Sequence, residues 1–254
     1  MNKFLLVLVL FLTGCSIEPP EDISYHTIKG SYRFVEESEG NLTLVDDVMR
    51  VLVYQQFFET FVLSKDPHYY YRTTTILINK QWGLPADFVP HDLIKAQVPL
   101  SPRSRNFMIR KDVNTVLKML FSAAQEDGVE LWFHSGYRSY AEQRRVYQRY
   151  VDRYGQKVAD TFTAKPGYSE HQSGLAIDIT SPNSSSLFAP NFGDSEEGKW
   201  VANHAHQFGF IIRYPKDKSE ITGYTYEPWH LRYVGIELAT ILFESGLVLE
   251  ELEN

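Results

Sequence analysis

The feature that most constrains this chain is an aspartate inside an apolar segment. Residues 175–179 have the sequence Leu-Ala-Ile-Asp-Ile, which predicts a short buried strand with Asp178 as its only charge. Moving an ionised carboxylate into a protein interior costs several kcal/mol unless it is ion-paired or bound to a metal. Because His171 lies just upstream, across a small turn, we expect the fold to gather further polar groups around this strand.

The stretch at residues 227–230, Glu-Pro-Trp-His, offers groups that would complete such a site. Pro228 is disfavoured inside a helix, so this segment is predicted to be extended. If it pairs with the strand of Asp178, then His230 and Asp178 can project from one sheet face toward the histidine of the preceding loop. Two imidazoles and one carboxylate are a common ligand set for catalytic zinc, and Glu227 is then a nearby proton acceptor. Hydrogen-bonded polar core residues are the alternative, and spacing alone does not decide between the two.

A third group, Arg138, follows a predicted strand that ends in Ser-Gly-Tyr. Ser139 and Glu142 have the spacing of a capping box, which predicts that a helix begins directly after Arg138. A side chain at such a fixed strand-to-helix junction can be aimed reproducibly. Its guanidinium would suit an oxyanion or a substrate carboxylate, and a surface salt bridge is the alternative.

Three sequence blocks together resemble a known enzyme family. They are Ser135-Gly136-Tyr137-Arg138-Ser139, Ser169-Glu170-His171 with Asp178, and Glu227-Pro228-Trp229-His230. In this order the blocks are similar to those of the VanY-type zinc D-alanyl-D-alanine carboxypeptidases, within the group of zinc DD-peptidases and LD-carboxypeptidases. The resemblance covers about residues 76–251 and implies an α+β fold like that of DD-peptidases and hedgehog domains.

The resemblance also implies a role for each group. The expected zinc ligands are His171, Asp178 and His230, the expected catalytic base is Glu227, Arg138 is expected to stabilise the oxyanion, and Gln143 and Ser173 are expected substrate contacts. The implied reaction removes the terminal D-alanine from peptidoglycan stem peptides. The motifs leave open whether the cleaved bond follows a D-residue or, as for LD-carboxypeptidases, an L- or meso-configured one. A peptidoglycan-binding lipoprotein on a decayed peptidase scaffold is the non-catalytic alternative.

The sequence lacks the motifs of other peptidase classes. Serine DD-peptidases need Ser-x-x-Lys, and no serine here has a lysine three residues later. Thermolysin-like enzymes need His-Glu-x-x-His, which is absent. His204 and His206 resemble a metal-binding pair, but they fall in a predicted helix, where residues two apart point in different directions. We therefore expect packing or surface roles for both.

The N-terminal part predicts export and lipid attachment. A lysine, the apolar residues 4–12 and Leu-Thr-Gly-Cys form a secretory signal that resembles a bacterial lipobox, with Cys15 as the lipidated residue. An ordinary signal or membrane segment with an incidental cysteine is the alternative. We expect a signal peptide at residues 1–14, a tether at 15–30, an extension of unassigned role at 31–75 and a zinc carboxypeptidase domain at 76–254. The expected location is extracytoplasmic, with the lipid in an envelope membrane.

The remaining pattern predicts an α+β fold with an antiparallel sheet and helices packed on one side. Helices are predicted near residues 113–124, 139–150, 200–208 and 236–244, and strands near 131–133, 175–179, 210–214 and 227–234. Residues 69–71 and 73–78, rich in aromatic and β-branched residues, also have the character of a strand. A formal charge of −7, without a basic stripe interleaved with aromatics, argues against a nucleic-acid partner, and a monomer is expected.

Overall fold

The computed structural model of this chain describes residues 74–104, 106–184 and 188–252. Its α-helices are α1 (Lys111–Glu126), α2 (Tyr140–Tyr154), α3 (Gln156–Ala159), α4 (Glu196–His204), α5 (Ser219–Thr222) and α6 (Ile236–Ser245). Its strands are β1 (Leu93–Lys95), β2 (Met108–Arg110), β3 (Trp132–Ser135), β4 (Ala176–Thr180), β5 (Phe210–Tyr214) and β6 (Glu227–Tyr233). The predicted signal peptide, Cys15, the tether and nearly all of the extension lie outside the described residues. Within them, no helix is both long enough and apolar enough to cross a bilayer.

The larger sheet is antiparallel and has the strand order β3-β4-β6-β5. Where β4 pairs with β6, Asp178 lies opposite His230 and Ala176 lies opposite Arg232. Residues directly opposite each other share a face of a sheet, so Asp178, His230 and Arg232 project to the same side. The pairing of these two strands therefore creates a polar face at the centre of the sheet.

The opposite face of this sheet is apolar and carries the hydrophobic core. Phe133, Ile177, Ile179 and Leu231 alternate with the polar residues and are almost fully buried. Helices α1 and α4 add side chains to the same core cluster, among them Val113, Leu117, Leu120, Phe121, Trp200 and Val201. The predicted α+β fold, an antiparallel sheet with packed helices, is confirmed. The core and the polar face lie on opposite sides of the sheet.

Helix α2 begins where the capping box predicts. Ser139 Oγ accepts a hydrogen bond from the backbone N–H of Glu142 at 3.2 Å, and Glu142 Oε2 accepts one from the backbone N–H of Ser139 at 3.0 Å. This reciprocal pair satisfies two N–H groups that a helix start would otherwise leave unpaired. Arg138 therefore precedes a helix whose first turn is fixed.

The strand predicted over residues 73–78 is wrong where the structure describes it. Residues 76–78 are buried but belong to no strand. The backbone carbonyls of Thr74 and Ile76 accept hydrogen bonds from the guanidinium of Arg232, and the carbonyl of Ile78 accepts one from Arg213. The apolar, β-branched composition indicated a strand, but arginine side chains take the place of a partner strand here.

The two histidines that resemble a metal pair have packing roles, as expected. The ring of His204 stacks on Trp200, with centroids 4.6 Å apart, and the ring of His206 stacks on Phe243 at 3.8 Å. His204 lies in the last turn of α4, and His206 follows in a short 3-10 turn. Neither belongs to the metal-capable cluster found among the described residues.

Candidate active site

Three buried side chains converge on the polar face of the sheet. His171 comes from the 3-10 turn Glu170–Ser173, Asp178 from β4 and His230 from β6. His171 Nε2 lies 3.2 Å from Asp178 Oδ2, and His230 Nδ1 lies 3.3 Å from Asp178 Oδ1. Their ligand atoms all lie within 4.8 Å of one another. The candidate ligands that the sequence indicated are thus brought together in a geometry that could hold one metal ion.

Each histidine ring makes a hydrogen bond through the nitrogen that points away from Asp178. This bond determines that the other nitrogen, which faces Asp178, can offer a lone pair. His171 Nδ1 lies 2.8 Å from the backbone carbonyl of Gly136, which can only accept, so this nitrogen carries the proton. His230 Nε2 lies 3.3 Å from Glu170 Oε2 and donates in the same way. In its neutral form each ring therefore presents an unprotonated nitrogen toward the Asp178 carboxylate. Such outer hydrogen bonds commonly orient metal-binding histidines.

The charges around this cluster call for a cation between the rings and the carboxylate. Two unprotonated ring nitrogens and a carboxylate have only lone pairs to offer one another. Burial opposes ionisation of Asp178, but His171 and His230 outweigh it and hold the pKa of Asp178 well below its usual value. Burial likewise opposes charge on His230, but Asp178 and Glu170 raise its pKa to about 9, so its Nδ1 takes up a proton at neutral pH unless a metal ion competes for that lone pair. A bound divalent ion with nitrogen and oxygen ligands would satisfy all three groups.

Glu227 lies beside the cluster at the start of β6. Its Oε2 is 3.9 Å from His230 Nδ1, whereas Asp178 Oδ1 is 3.3 Å from the same nitrogen. The Glu227 side chain is mostly buried. Burial raises the pKa of Glu227 to about 8, against the opposing effect of His230. A carboxyl group whose pKa lies near neutrality can both accept and return a proton. Glu227 is therefore suited to proton transfer next to the metal-capable cluster.

Arg138 approaches the same cluster from the start of α2. Its Nη1 donates to Gln143 Oε1 at 2.9 Å, and its Nη2 lies 3.9 Å from Asp178 Oδ2. Gln143 is itself fixed, because its Nε2 donates to the Ala164 carbonyl at 2.6 Å. The buried Nε of Arg138 has no hydrogen-bond partner among the described residues. An oriented guanidinium with an unused donor can bind an anionic group in this site.

The two residues expected to contact substrate are both deeply buried. Gln143 is 1% exposed and its amide bonds to protein groups at both ends. Ser173 Oγ donates to the Glu170 carbonyl at 2.5 Å and accepts from the N–H of Leu175 at 3.1 Å. The structure thus shows Gln143 supporting Arg138 and Ser173 shaping the turn that carries His171. Their contact with substrate stays a prediction.

Glu170 belongs to one of the three sequence blocks, but the sequence analysis assigned it no role. Its carboxylate is fully buried and contacts Arg213, Arg232 and His230. Burial opposes its ionisation, but the two guanidiniums outweigh it and hold the pKa of Glu170 far below its usual value. A signal was present in the sequence, because Arg213 and Arg232 lie within apolar strand segments just as Asp178 does. A buried charge needs a partner of opposite sign, so two arginines in apolar strands indicate that a buried carboxylate lies near them.

The chain is similar in sequence to known proteins. A family model described as VanY: D-alanyl-D-alanine carboxypeptidase matches residues 106–236, a range that includes the whole metal-capable cluster. A putative carboxypeptidase, YodJ of Bacillus subtilis, is 45% identical over 177 residues, which are 69% of this chain and 65% of that protein. The match thus spans a little under two thirds of the relative's length.

Two solved structures show the same similarity in three dimensions. One is the LdcB LD-carboxypeptidase, at 42% identity and a TM-score of 0.68, covering 74% of this chain and 87% of that one. The other is a mutant of the vancomycin-resistance D,D-pentapeptidase VanY in complex with Zn(II), at 39% identity and a TM-score of 0.60. The similarity covers 71% of this chain and 99% of that one.

A substitution at Gly136 tests how the backbone orients His171. A Cβ at this position would overlap the carbonyl oxygen of Met108, so Gly136→Ala must shift the backbone whose carbonyl anchors the His171 ring. We expect affinity for added Zn²⁺ to fall by about 10- to 100-fold, as for other outer contacts of metal ligands. Competition with a chromophoric chelator measures this affinity.

The control for that experiment is Gly128→Ala. Gly128 has a backbone that disfavours a side chain, with φ of 78°, but a Cβ there would meet no atom within 4 Å. It follows the end of α1, and its backbone N–H bonds to the carbonyl of Gln125 in that helix rather than to a residue of the cluster. Its substitution should lower stability without changing metal affinity. Unchanged affinity in folded Gly136→Ala protein would contradict the orienting role of this carbonyl.

Proposed function

The chain belongs to the VanY D-alanyl-D-alanine carboxypeptidase family, and we propose that it is a zinc-dependent carboxypeptidase that removes the terminal D-alanine from peptidoglycan stem peptides. The observation that carries this proposal is the convergence of His171, Asp178 and His230 next to Glu227 and Arg138. This arrangement combines a metal-binding cluster, a proton acceptor and a fixed cation. Metal-assisted hydrolysis of a peptide bond uses all three capabilities.

The proposed metal is zinc, held by His171 Nε2, His230 Nδ1 and a carboxylate oxygen of Asp178. The donor set fits, since three nitrogen and oxygen ligands with an open fourth position are typical of catalytic zinc. A solved relative, the VanY mutant described above, is in complex with Zn(II). When bound, zinc supplies Lewis acidity that polarises the scissile carbonyl and acidifies water in the site.

Glu227 moves the proton in the proposed reaction. Its carboxylate accepts a proton from the attacking water, and burial, which raises its pKa, helps it to keep that proton until the amine leaves. Glu227 then returns the proton to the nitrogen of the departing D-alanine. The residue acts as base and afterwards as acid, so its carboxyl group must stay within hydrogen-bond reach of both positions.

Arg138 stabilises negative charge in the same reaction. As the carbonyl carbon becomes tetrahedral, its oxygen acquires negative charge, and a fixed guanidinium can meet that charge without reorganising. The contact with Gln143 and the capped start of α2 hold Arg138 in place beforehand. Positive charge at this position also suits a substrate that ends in a carboxylate.

A second specificity is supported by the similarity to LdcB, which is an LD-carboxypeptidase. We favour the D-alanyl-D-alanine specificity because the family model carries that description. The two activities differ in the configuration of the residue before the terminal D-alanine. Pentapeptide stems that end in D-alanyl-D-alanine test the first, and tetrapeptide stems test the second.

The deciding experiment incubates zinc-loaded protein with pentapeptide and tetrapeptide muropeptides in parallel and follows D-alanine loss by mass spectrometry. We expect faster loss from the pentapeptide, and we expect a zinc chelator to abolish it and added zinc to restore it. Faster loss from the tetrapeptide would establish the LD specificity instead. No loss from either substrate by zinc-loaded protein would contradict a carboxypeptidase and leave a binding role.

The variant Glu227→Gln separates proton transfer from metal binding. Its amide cannot accept a proton, so we expect turnover of the pentapeptide to fall by about 10²- to 10⁴-fold. Zinc content should not change, because Glu227 is outside the cluster of ligand atoms. The exposed Glu220→Gln on α5 is the matched control and should retain full turnover. Turnover near the wild-type rate in Glu227→Gln would remove Glu227 from the mechanism.

We further propose that the protein is a membrane-anchored lipoprotein acting outside the cytoplasm. The support is the secretory pattern of residues 1–14, the lipobox-like sequence that ends at Cys15 and a substrate class that is part of the cell wall. Metabolic labelling with a palmitate analogue should label the wild-type protein and not Cys15→Ser. Equal labelling of both proteins, or none in the wild type, would contradict lipid attachment at Cys15.

A further inference from the structure

A buried cluster of four charged side chains lies directly behind the candidate metal ligands. Its members are Glu170, Arg213, Arg232 and Glu250. We propose that Glu170 is a positioning residue for zinc binding. Glu170 accepts a hydrogen bond from the Nε2–H of His230, and this contact orients the ring so that Nδ1 points at the metal. The inference rests on the proposed function in that it takes zinc as the bound ion.

The two oxygens of the Glu170 carboxylate have different hydrogen-bond partners. Oε1 accepts from Arg213 Nε at 2.8 Å and from Arg232 Nη1 at 2.5 Å. Oε2 faces His230 Nε2 at 3.3 Å. A carboxylate held by two guanidiniums is ionised and can only accept hydrogen bonds. His230 Nε2 must then be the donor, so Nδ1, which lies beside Asp178, is the ring nitrogen left to bind a metal ion.

The arginines that hold Glu170 are themselves anchored at several points. Arg213 donates to both oxygens of Glu250, at 2.9 Å and 2.6 Å. Arg232 donates to the backbone carbonyls of Thr74 and Ile76, at 3.0 Å and 2.5 Å. The position of Glu170 is therefore set by β5, β6, the turn Leu249–Leu252 and the backbone at residues 74–76. A carboxylate this firmly held can in turn restrict the ring of His230.

One short turn controls both histidines of the proposed zinc site. The turn Glu170–Ser173 supplies His171 as a ligand and, from the preceding residue, supplies the acceptor that orients His230. Its own shape is kept by the hydrogen bond of Ser173 to the Glu170 carbonyl. Moving the turn would disturb both nitrogen ligands together, so the spacing of the two rings depends on the position of this turn.

Fold stability alone does not account for such a cluster. Arg213, Arg232 and Glu170 have fully buried side chains, and the desolvation of buried ion pairs commonly cancels their attraction. Apolar residues of similar volume are often as stabilising or more so. A carboxylate at position 170 gives what an apolar residue cannot, which is an acceptor that selects one tautomer of His230. The two arginines then serve to hold that carboxylate ionised in the interior.

The test compares two variants that each remove one carboxylate from the same buried cluster. Glu170→Gln removes the one in contact with His230, whereas Glu250→Gln removes one that binds Arg213 and does not contact the ring. We expect zinc affinity, measured by competition with a chromophoric chelator, to fall by about 10- to 100-fold in Glu170→Gln. In Glu250→Gln it should stay close to the wild-type value, even if the protein unfolds at a lower temperature. Equal effects of the two variants, or unchanged affinity in Glu170→Gln, would overturn the positioning role.

A second measurement decides the matter if Glu170→Gln does not fold. Long-range ¹H–¹⁵N spectra of zinc-loaded wild-type protein with labelled histidine report which ring nitrogen carries the proton. We expect His230 to show a slowly exchanging Nε2–H shifted downfield by a carboxylate acceptor, and Nδ1 to be bound to metal. A proton on Nδ1, or a rapidly exchanging Nε2–H, would overturn the proposal. Neither measurement uses a substrate, so both outcomes are independent of whether the zinc-loaded protein cleaves muropeptides.

Discussion

The structure depends on the ionised Asp178 carboxylate, which is buried between two imidazole rings at the centre of a sheet. A charge in this position is tolerated only if its surroundings supply compensating charge and hydrogen bonds. The pairing of β4 with β6 places His230 opposite Asp178, and the turn before β4 returns His171 to the same point. The alternation of side chains along both strands keeps this polar face separate from the apolar core. Sheet register therefore determines the chemistry of the site.

Each group of the site is held by an element whose local sequence explains its position. The Gly136 carbonyl orients His171, and the absence of a side chain there lets the backbone pass close to Met108. Glu170 orients His230 from the turn that carries His171, and the arginines behind it tie that turn to distant parts of the chain. Arg138 is fixed by its place before a capped helix and by Gln143. The result is a set of groups with little freedom to reorganise, as preorganised catalysis requires.

Much of this arrangement could be predicted from the sequence because its signals are local. An isolated aspartate in an apolar strand, and a histidine in a segment that Pro228 keeps extended, indicated two strands with facing polar groups, and the structure pairs them. The capping box at Ser139 predicted the start of α2 from two residues alone. In contrast, the composition of residues 76–78 indicated a strand, and the structure has none there. Composition does not reveal that arginine side chains donate hydrogen bonds to the carbonyls of Ile76 and Ile78. Glu170 was passed over for the same reason, since its partners lie more than forty residues away in the sequence.

The proposed chemistry depends on His171, Asp178 and His230 together holding one zinc ion. X-ray absorption at the zinc edge, recorded on purified protein loaded with zinc, tests this binding most directly. We predict one zinc per chain, two imidazole nitrogens and oxygen ligands at about 2.0–2.2 Å, and a weakened, altered site in Asp178→Asn. A spectrum that shows sulfur scattering or lacks imidazole scattering would contradict zinc binding by these three residues. A spectrum unchanged by Asp178→Asn would contradict it as well.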